Sequence, residues 1–198
     1  MFEFTLFGMR WRLSLLFPAM LTALLLWQSD SLAIPCVLAS LIHEGGHLLA
    51  MLLLKMPPQD FTLSAFGARM RLSDRTAGYW QNLVISVCGP LANVLCMILF
   101  MMCRRPTLVY VHALLAGINL LPAIGLDGGE ILRCLLCLIG FERSVPIILR
   151  YTSAVVLFVM VTMGAYVLLQ PNGNGSLLIV SVYLAAVIFF ADKNSKNT

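Results

Sequence analysis

Charge is scarce in this chain. Only 11% of its 198 residues are Asp, Glu, Lys or Arg, against about 25% in an ordinary soluble domain. That scarcity excludes a water-soluble globular protein, because too few charged side chains exist to cover its surface. A concentrated basic patch is also missing. The 13 Lys and Arg residues are spread along short segments, so the net charge of +4 is no footprint of nucleic-acid binding. A signal-peptide cleavage site is lacking too. The apolar run Leu13–Trp27 meets no small-x-small pattern before Asp30 and reads as a first membrane span. Paired cysteine spacings are absent. Cys36, Cys88, Cys96, Cys103, Cys134 and Cys137 lie mostly within apolar runs and read as small buried hydrophobes. Cys134-x-x-Cys137 has no second pair to make a metal or redox motif. Finally, no internal repeat is visible, which removes one support for a transporter built on inverted repeats.

Apolar sequence is plentiful instead, at 60% of the chain. Six hydrophobic spans are readable: about 13–27, 32–54, 80–103, 108–139 with a break, 147–169 and 177–190. Each approaches the ~20 helical residues that cross a bilayer, the sixth being the shortest. The fold class expected is an all-α polytopic membrane protein with about six transmembrane helices and a broken fourth one. With the N-terminus in the cytosol, Arg10, Arg12, Lys55, Arg69, Arg71, Arg75, Arg133, Arg143, Arg150, Lys193 and Lys196 fall on or near the cytosolic side. Only Arg104 and Arg105 fall outside, so both termini are expected in the cytosol, with the Pro171–Ser176 turn external. Between the second and third spans, Phe61–Leu72 is rich in strand-forming residues around a central Gly67, and residues 69–72 alternate charged and apolar. A short membrane-associated β-hairpin fits, as does a plain surface loop. An edge of such a hairpin, carrying Thr62 and Ser64, could pair with an extended peptide.

Against this background His43-Glu44-Gly45-Gly46-His47 stands out inside an apolar span. Four-residue spacing puts both imidazoles on one helix face, where they can bind one Zn²⁺, and the intervening Glu44 can take a proton from a water that the metal polarises. Ionisable groups in a membrane segment are costly and mark functional sites. Lys55 marks the cytosolic end of this span, placing His47, eight residues earlier, within the bilayer on its cytosolic half. Two imidazoles leave a catalytic zinc one protein ligand short. His112, the third histidine, opens the fourth span at its outer end, which is the wrong depth. Asp127 fits better, because Pro122, Gly125, Gly128 and Gly129 break the helix around it, and unwound backbone at membrane depth lines a cavity or is buried in protein. Asp127 could alternatively cap the restarted helix, and Glu130 could be the ligand in its place. Gly89-Pro90-Leu91-Ala92-Asn93 interrupts the third span, and the Asn93 amide could hydrogen-bond another helix or a substrate backbone.

H-E-G-G-H, then G-P-L-A-N, then N-L-L-P-x-x-x-L-D-G-G, in that order over residues 31–141, resemble the site-2 protease family of intramembrane zinc metalloproteases. The six-span layout is similar to the bacterial subgroup that processes a sporulation sigma-factor precursor. The resemblance implies His43, His47 and Asp127 as ligands of one Zn²⁺ per chain and Glu44 as general base. It implies that Asn93 and Asn119 help hold substrate, and the Ala65-Phe66-Gly67 segment looks like the family's membrane-associated strand region, which adds Phe66 and Gly67. Gly125 stands where Pro is frequent, and Glu130 where a basic residue is common. Neither change removes a reacting group. The expected reaction is hydrolysis of a peptide bond in or near a transmembrane segment of a membrane-protein substrate, such as a sigma-factor precursor or an anti-sigma factor. The expected place is the bacterial cytoplasmic membrane. Residues 1–198 read as one membrane-embedded domain with no PDZ insertion or C-terminal regulatory domain. A divalent-cation transporter and an inactive protease-like scaffold are the competing readings. The first gains nothing from a repeat, and the second would show a lost ligand or base.

Overall fold

The computed structural model describes residues 2–6, 9–13, 33–56, 58–64, 67–72, 78–170, 175, 178–182, 185–186 and 188. They fall in two compact units, residues 1–118 and 119–198. Most of the first expected span, the Pro171–Ser176 turn apart from Gly175, and much of the sixth span lie outside the described residues. So do Ala65 and Phe66.

The first unit carries strands β1 (Phe2–Leu6) and β2 (Met9–Leu13), helix α1 (Ala33–Leu53), strands β3 (Pro58–Ser64) and β4 (Gly67–Leu72), and helices α2 (Tyr79–Met102) and α3 (Pro106–Asn119). The strands form one sheet in the order β1-β2-β3-β4. β1 pairs antiparallel with β2, and β3 antiparallel with β4 with a register shift between Pro58 and Asp60. β2 runs parallel to β3, with Arg10 opposite Asp60. A parallel pair needs a long crossover, and α1 lies between these two strands in sequence. β1 and β2 are an addition to the expected architecture, although Phe2-Glu3-Phe4-Thr5-Leu6 and Met9-Arg10-Trp11-Arg12-Leu13 each alternate apolar and polar residues with the period of a strand. They also correct the edge assignment. β3, with Thr62 and Ser64, is an inner strand, and the ends of the sheet are β1 and β4.

Helix α1 lies against α2. Glycine makes the approach possible: a Cβ on Gly46 would sit 2.5 Å from the Cys88 carbonyl oxygen. Ala50, Met51 and Ile85 form the buried core of this contact, with Leu54 and Cys88 packed against it. Both helices end in the same way. Lys55 (φ 58°) and Arg104 (φ 53°) take the left-handed conformation, Met56 N–H donates to Met51 O, and Arg105 N–H donates to Phe100 O. Gly usually holds this position. A basic residue there costs about 1–2 kcal/mol in backbone strain, offset in part by its charge at the negative helix end. The expected interruption at Gly89-Pro90 is corrected, because α2 is helical throughout Tyr79–Met102. Pro90 removes one N–H from the ladder, and the remaining hydrogen bonds of a long apolar helix carry the turn.

The second unit holds α4 (Asp127–Leu138), a 3₁₀ turn (Glu142–Ser144) and α5 (Val145–Leu168). The expected fourth span is broken: helix stops at Asn119 and restarts at Asp127. Gly125, at φ 89°, holds a conformation closed to Pro, whose ring fixes φ near about −65°. That accounts for the missing Pro at this position. Leu126, not Asp127, is the N-cap residue of α4. Asp127 and Glu130 occupy its first turn, where acidic groups meet the positive end of the helix dipole. Gly128 and Gly129 lie inside the helix, and their reason is proximity. A Cβ on Gly128 would lie 2.2 Å from Leu120 O, and one on Gly129 2.2 Å from Ala123 O. The connecting segment therefore folds back over the start of α4. Ser153 of α5 pins it: Ile124 N–H donates to Ser153 Oγ at 2.9 Å, and the hydroxyl donates to Leu149 O at 2.6 Å. Ala123, Val156 and Ile188 form the buried core beneath.

Three helices among the described residues are long and apolar enough to cross a membrane: Ile34–Leu53, Tyr79–Met102 and Glu142–Leu168. Their outward faces carry large apolar side chains, with Leu53 74% exposed, Met102 77% and Phe158 72%. Such faces would aggregate in water and are at home in lipid. The chain is an integral membrane protein.

Candidate metal centre

His43 and His47 lie one turn apart on α1, and both are buried. Their rings meet edge to face, with centroids 4.8 Å apart and planes at 86°. The two Nε2 atoms are 3.2 Å apart. Two nitrogens bound to a tetrahedral Zn²⁺ at about 2.0–2.1 Å stand about 3.3 Å apart, so the pair suits a shared metal ion.

Each ring is held from behind. His47 Nδ1 lies 2.8 Å from the Ile85 carbonyl oxygen, which can only accept. Nδ1 therefore carries the proton, and in the neutral ring Nε2 presents its lone pair. Gly89 gives this ring its room, since a Cβ there would come 2.2 Å from His47 Nε2. His43 Nδ1 lies 3.0 Å from Asn93 Nδ2. The other end of that amide, Oδ1, is 2.9 Å from His112 Nδ1. Asn93 is 0% exposed and His112 1%. Phe100 stacks on His112, with centroids 5.4 Å apart and planes at 29°.

Of the two readings left open for Asn93, these contacts make the interhelical one concrete: its amide ties α1 to α3. His112, set apart from the site by its expected depth, is brought beside it. It sits two turns into α3 and is one amide away from a candidate ligand. The sequence carried a signal for this that depth arithmetic concealed. All three histidines of the chain, His43, His47 and His112, belong to one buried cluster.

Glu44 is half-buried on α1 between the two histidines in sequence. Asp127 and Asn119 are half-buried in the second unit, Asp127 opening α4 and Asn119 ending α3. Glu130 makes an ion pair one turn along α4 with Arg133, whose Nε donates to Glu130 Oε2 at 2.8 Å and whose Nη2 donates to Oε1. Both carboxylate oxygens are thus engaged, which weighs against Glu130 as the metal ligand. Gly67 opens β4. All six cysteines are free thiols.

No family model matches this chain, and no curated protein matches it by sequence. Its fold is shared with the solved site-2 protease from Methanocaldococcus jannaschii. The TM-score is 0.67 over 97% of this chain and 94% of that one, at 21% sequence identity.

Proposed function

We propose that this chain is an intramembrane zinc metalloprotease that hydrolyses a peptide bond in or near a transmembrane segment of a membrane-protein substrate. The observation that carries this reading is the buried H-E-x-x-H pair on an apolar helix, with Nε2 atoms 3.2 Å apart, in a chain that shares its fold with a site-2 protease. His43, His47 and Asp127 form a donor set that could hold a metal ion, and we assign them one Zn²⁺ per chain. When bound, the ion supplies Lewis acidity, which lowers the pKa of a water towards about 7 and polarises the substrate carbonyl. His43 and His47 would hold the ion through Nε2; the Ile85 carbonyl on His47 Nδ1 keeps the His47 Nε2 lone pair available. Glu44 takes the proton from the attacking water and returns it to the leaving amine. Asn119 steadies the substrate backbone, whereas Asn93, expected to share that part, is buried between His43 and His112. The membrane we assign to residues 1–198 is a bacterial cytoplasmic membrane, with the chain oriented by its basic residues and both termini cytosolic. A sigma-factor precursor or anti-sigma factor is the substrate class that the resemblance favours.

Metal analysis of purified variants tests the ligand set. Asp127→Ala should lower zinc occupancy well below one per chain, because two imidazoles alone hold the ion weakly. Glu130→Gln should leave it unchanged. The reverse ranking would move the third ligand to Glu130.

A substrate helix must unwind before its carbonyl can be attacked, and its freed N–H and C=O groups cost several kcal/mol if unmet. β4 would offer them a partner strand, with Phe66 and Gly67, the expected substrate contacts, next to it in sequence. Pro placed along β4 at 68 and 70, or at 69 and 71, removes outward-facing donors in one set and ladder donors to β3 in the other. The outward set should lower cleavage while zinc content stays normal. Unchanged cleavage with both sets would make the ribbon a connector only.

A further inference from the structure

The contacts Ile85 O–His47–His43–Asn93–His112 form one continuous buried chain with heavy-atom distances of 2.8, 3.2, 3.0 and 2.9 Å. The carbonyl at one end fixes the proton of His47 on Nδ1. Beyond His47 the same atoms can be connected in two directions. In the first, His43 Nε2–H donates to His47 Nε2. His43 Nδ1 then accepts from Asn93 Nδ2, and Asn93 Oδ1 accepts from His112 Nδ1–H. In the second, the His43 proton sits on Nδ1. The Asn93 amide is turned over, so that Oδ1 accepts from His43 Nδ1–H and Nδ2 donates to an unprotonated His112 Nδ1. The amide is symmetric enough in shape to fill its place either way round. Each ring keeps one N–H in both directions, so no proton is gained or lost overall.

Only the second direction leaves lone pairs on both Nε2 atoms. We propose that Asn93 and His112 form a reversible hydrogen-bond relay behind His43, and that binding of a metal ion by His43 and His47 selects its second direction. This rests on the assignment of His43 and His47 as metal ligands. Asn93 and His112 are then positioning residues, which act through the tautomer of His43. Burial makes the coupling strict, because no water replaces a mismatched partner and two donors or two acceptors face to face at about 3 Å are costly. The stacked Phe100 ring holds His112 in the plane that the relay needs.

The chain has only three histidines, so ¹⁵N labelling of histidine reports the whole relay. The full chain in lipid nanodiscs would be compared with zinc bound and after chelation, with zinc content measured on the same samples. With zinc, His43 and His47 should both carry their proton on Nδ1, and His112 on Nε2. After chelation, His112 should change to the Nδ1–H tautomer. Zinc bound with His112 in one tautomer throughout overturns the relay alone. A wild-type chain that takes up no zinc overturns the metal assignment and the relay together.

Substitutions give a second readout. His112→Phe should weaken zinc retention about 10–100-fold, the size of effect found for partners of metal-bound imidazoles. Asn93→Asp presents acceptors to His43 and needs no donor behind it, so Asn93→Asp with His112→Phe should restore retention. A merely structural role for His112 would not be rescued in this way, and failure of the double variant to recover zinc also overturns the proposal.

Discussion

Glu44→Gln should abolish cleavage while leaving zinc in place. The substitution keeps the size and hydrogen-bonding shape of the side chain and removes only its ability to take a proton. His43 and His47 stay where Ile85, Gly89 and Asn93 hold them, so the metal has no reason to leave. General-base catalysis contributes about 10²–10⁴-fold, and a group that also returns the proton to the leaving amine is used twice in each turnover. The measurement is cleavage of a single-pass membrane substrate by protein reconstituted with zinc, alongside metal analysis. Undiminished turnover would show that Glu44 is not the base. Loss of zinc together with activity would show a structural part for Glu44. The same experiment discriminates among the competing readings. A cation transporter would carry metal across vesicles and cleave nothing in either form, and an inactive scaffold would show no difference between the two.

The parts of this molecule that were legible in the sequence are those governed by local chemistry. Imidazoles at i and i+4 within an apolar run put His43 and His47 together, because helix geometry alone decides it. The break before Asp127 was also readable, since Pro122, Gly125, Gly128 and Gly129 crowd helix-weakening residues into one short stretch beside a carboxylate. What was not readable depends on distant partners. Nothing in G-P-L-A-N says that Pro90 lies within an unbroken helix, or that Gly89 makes room for an imidazole 42 positions away in sequence. The link from His112 to the cluster was not readable because it runs through the Asn93 amide, which makes two hydrogen bonds that no spacing along the chain announces. The pairing of Arg10–Leu13 with Asp60–Leu63 was hidden for the same reason. Alternation in Met9–Leu13 marks a strand but does not name its partner across 46 intervening residues, and that partner makes β3, with Thr62, an inner strand.

Three glycines near the metal site should answer differently to the same added methyl group. Gly89→Ala should remove both zinc and activity. Its Cβ would fall 2.2 Å from His47 Nε2, 2.4 Å from Cε1 and 2.9 Å from Cδ2, so the ring must swing away. Swinging breaks the 2.8 Å bond to Ile85 and takes the lone pair from its place 3.2 Å from His43 Nε2. A displacement of about 1 Å at a reacting centre can cost about 10²-fold in rate, and loss of a ligand costs the metal as well. Gly46→Ala acts through the backbone instead. Its Cβ would meet Cys88 O at 2.5 Å, so α1 must move off α2 and thermal stability should fall along with zinc content. Gly45 is the control, since a Cβ there meets nothing within 4 Å. Gly45→Ala should keep zinc and stability, and Ala favours a helix over Gly by about 1 kcal/mol, so the melting temperature should hold or rise. Zinc content and thermal unfolding of the three purified variants decide the matter. Normal zinc in Gly89→Ala would mean that His47 does not bind the metal from the position described. Equal damage from all three would mean that the helix tolerates no added carbon here for reasons unrelated to His47.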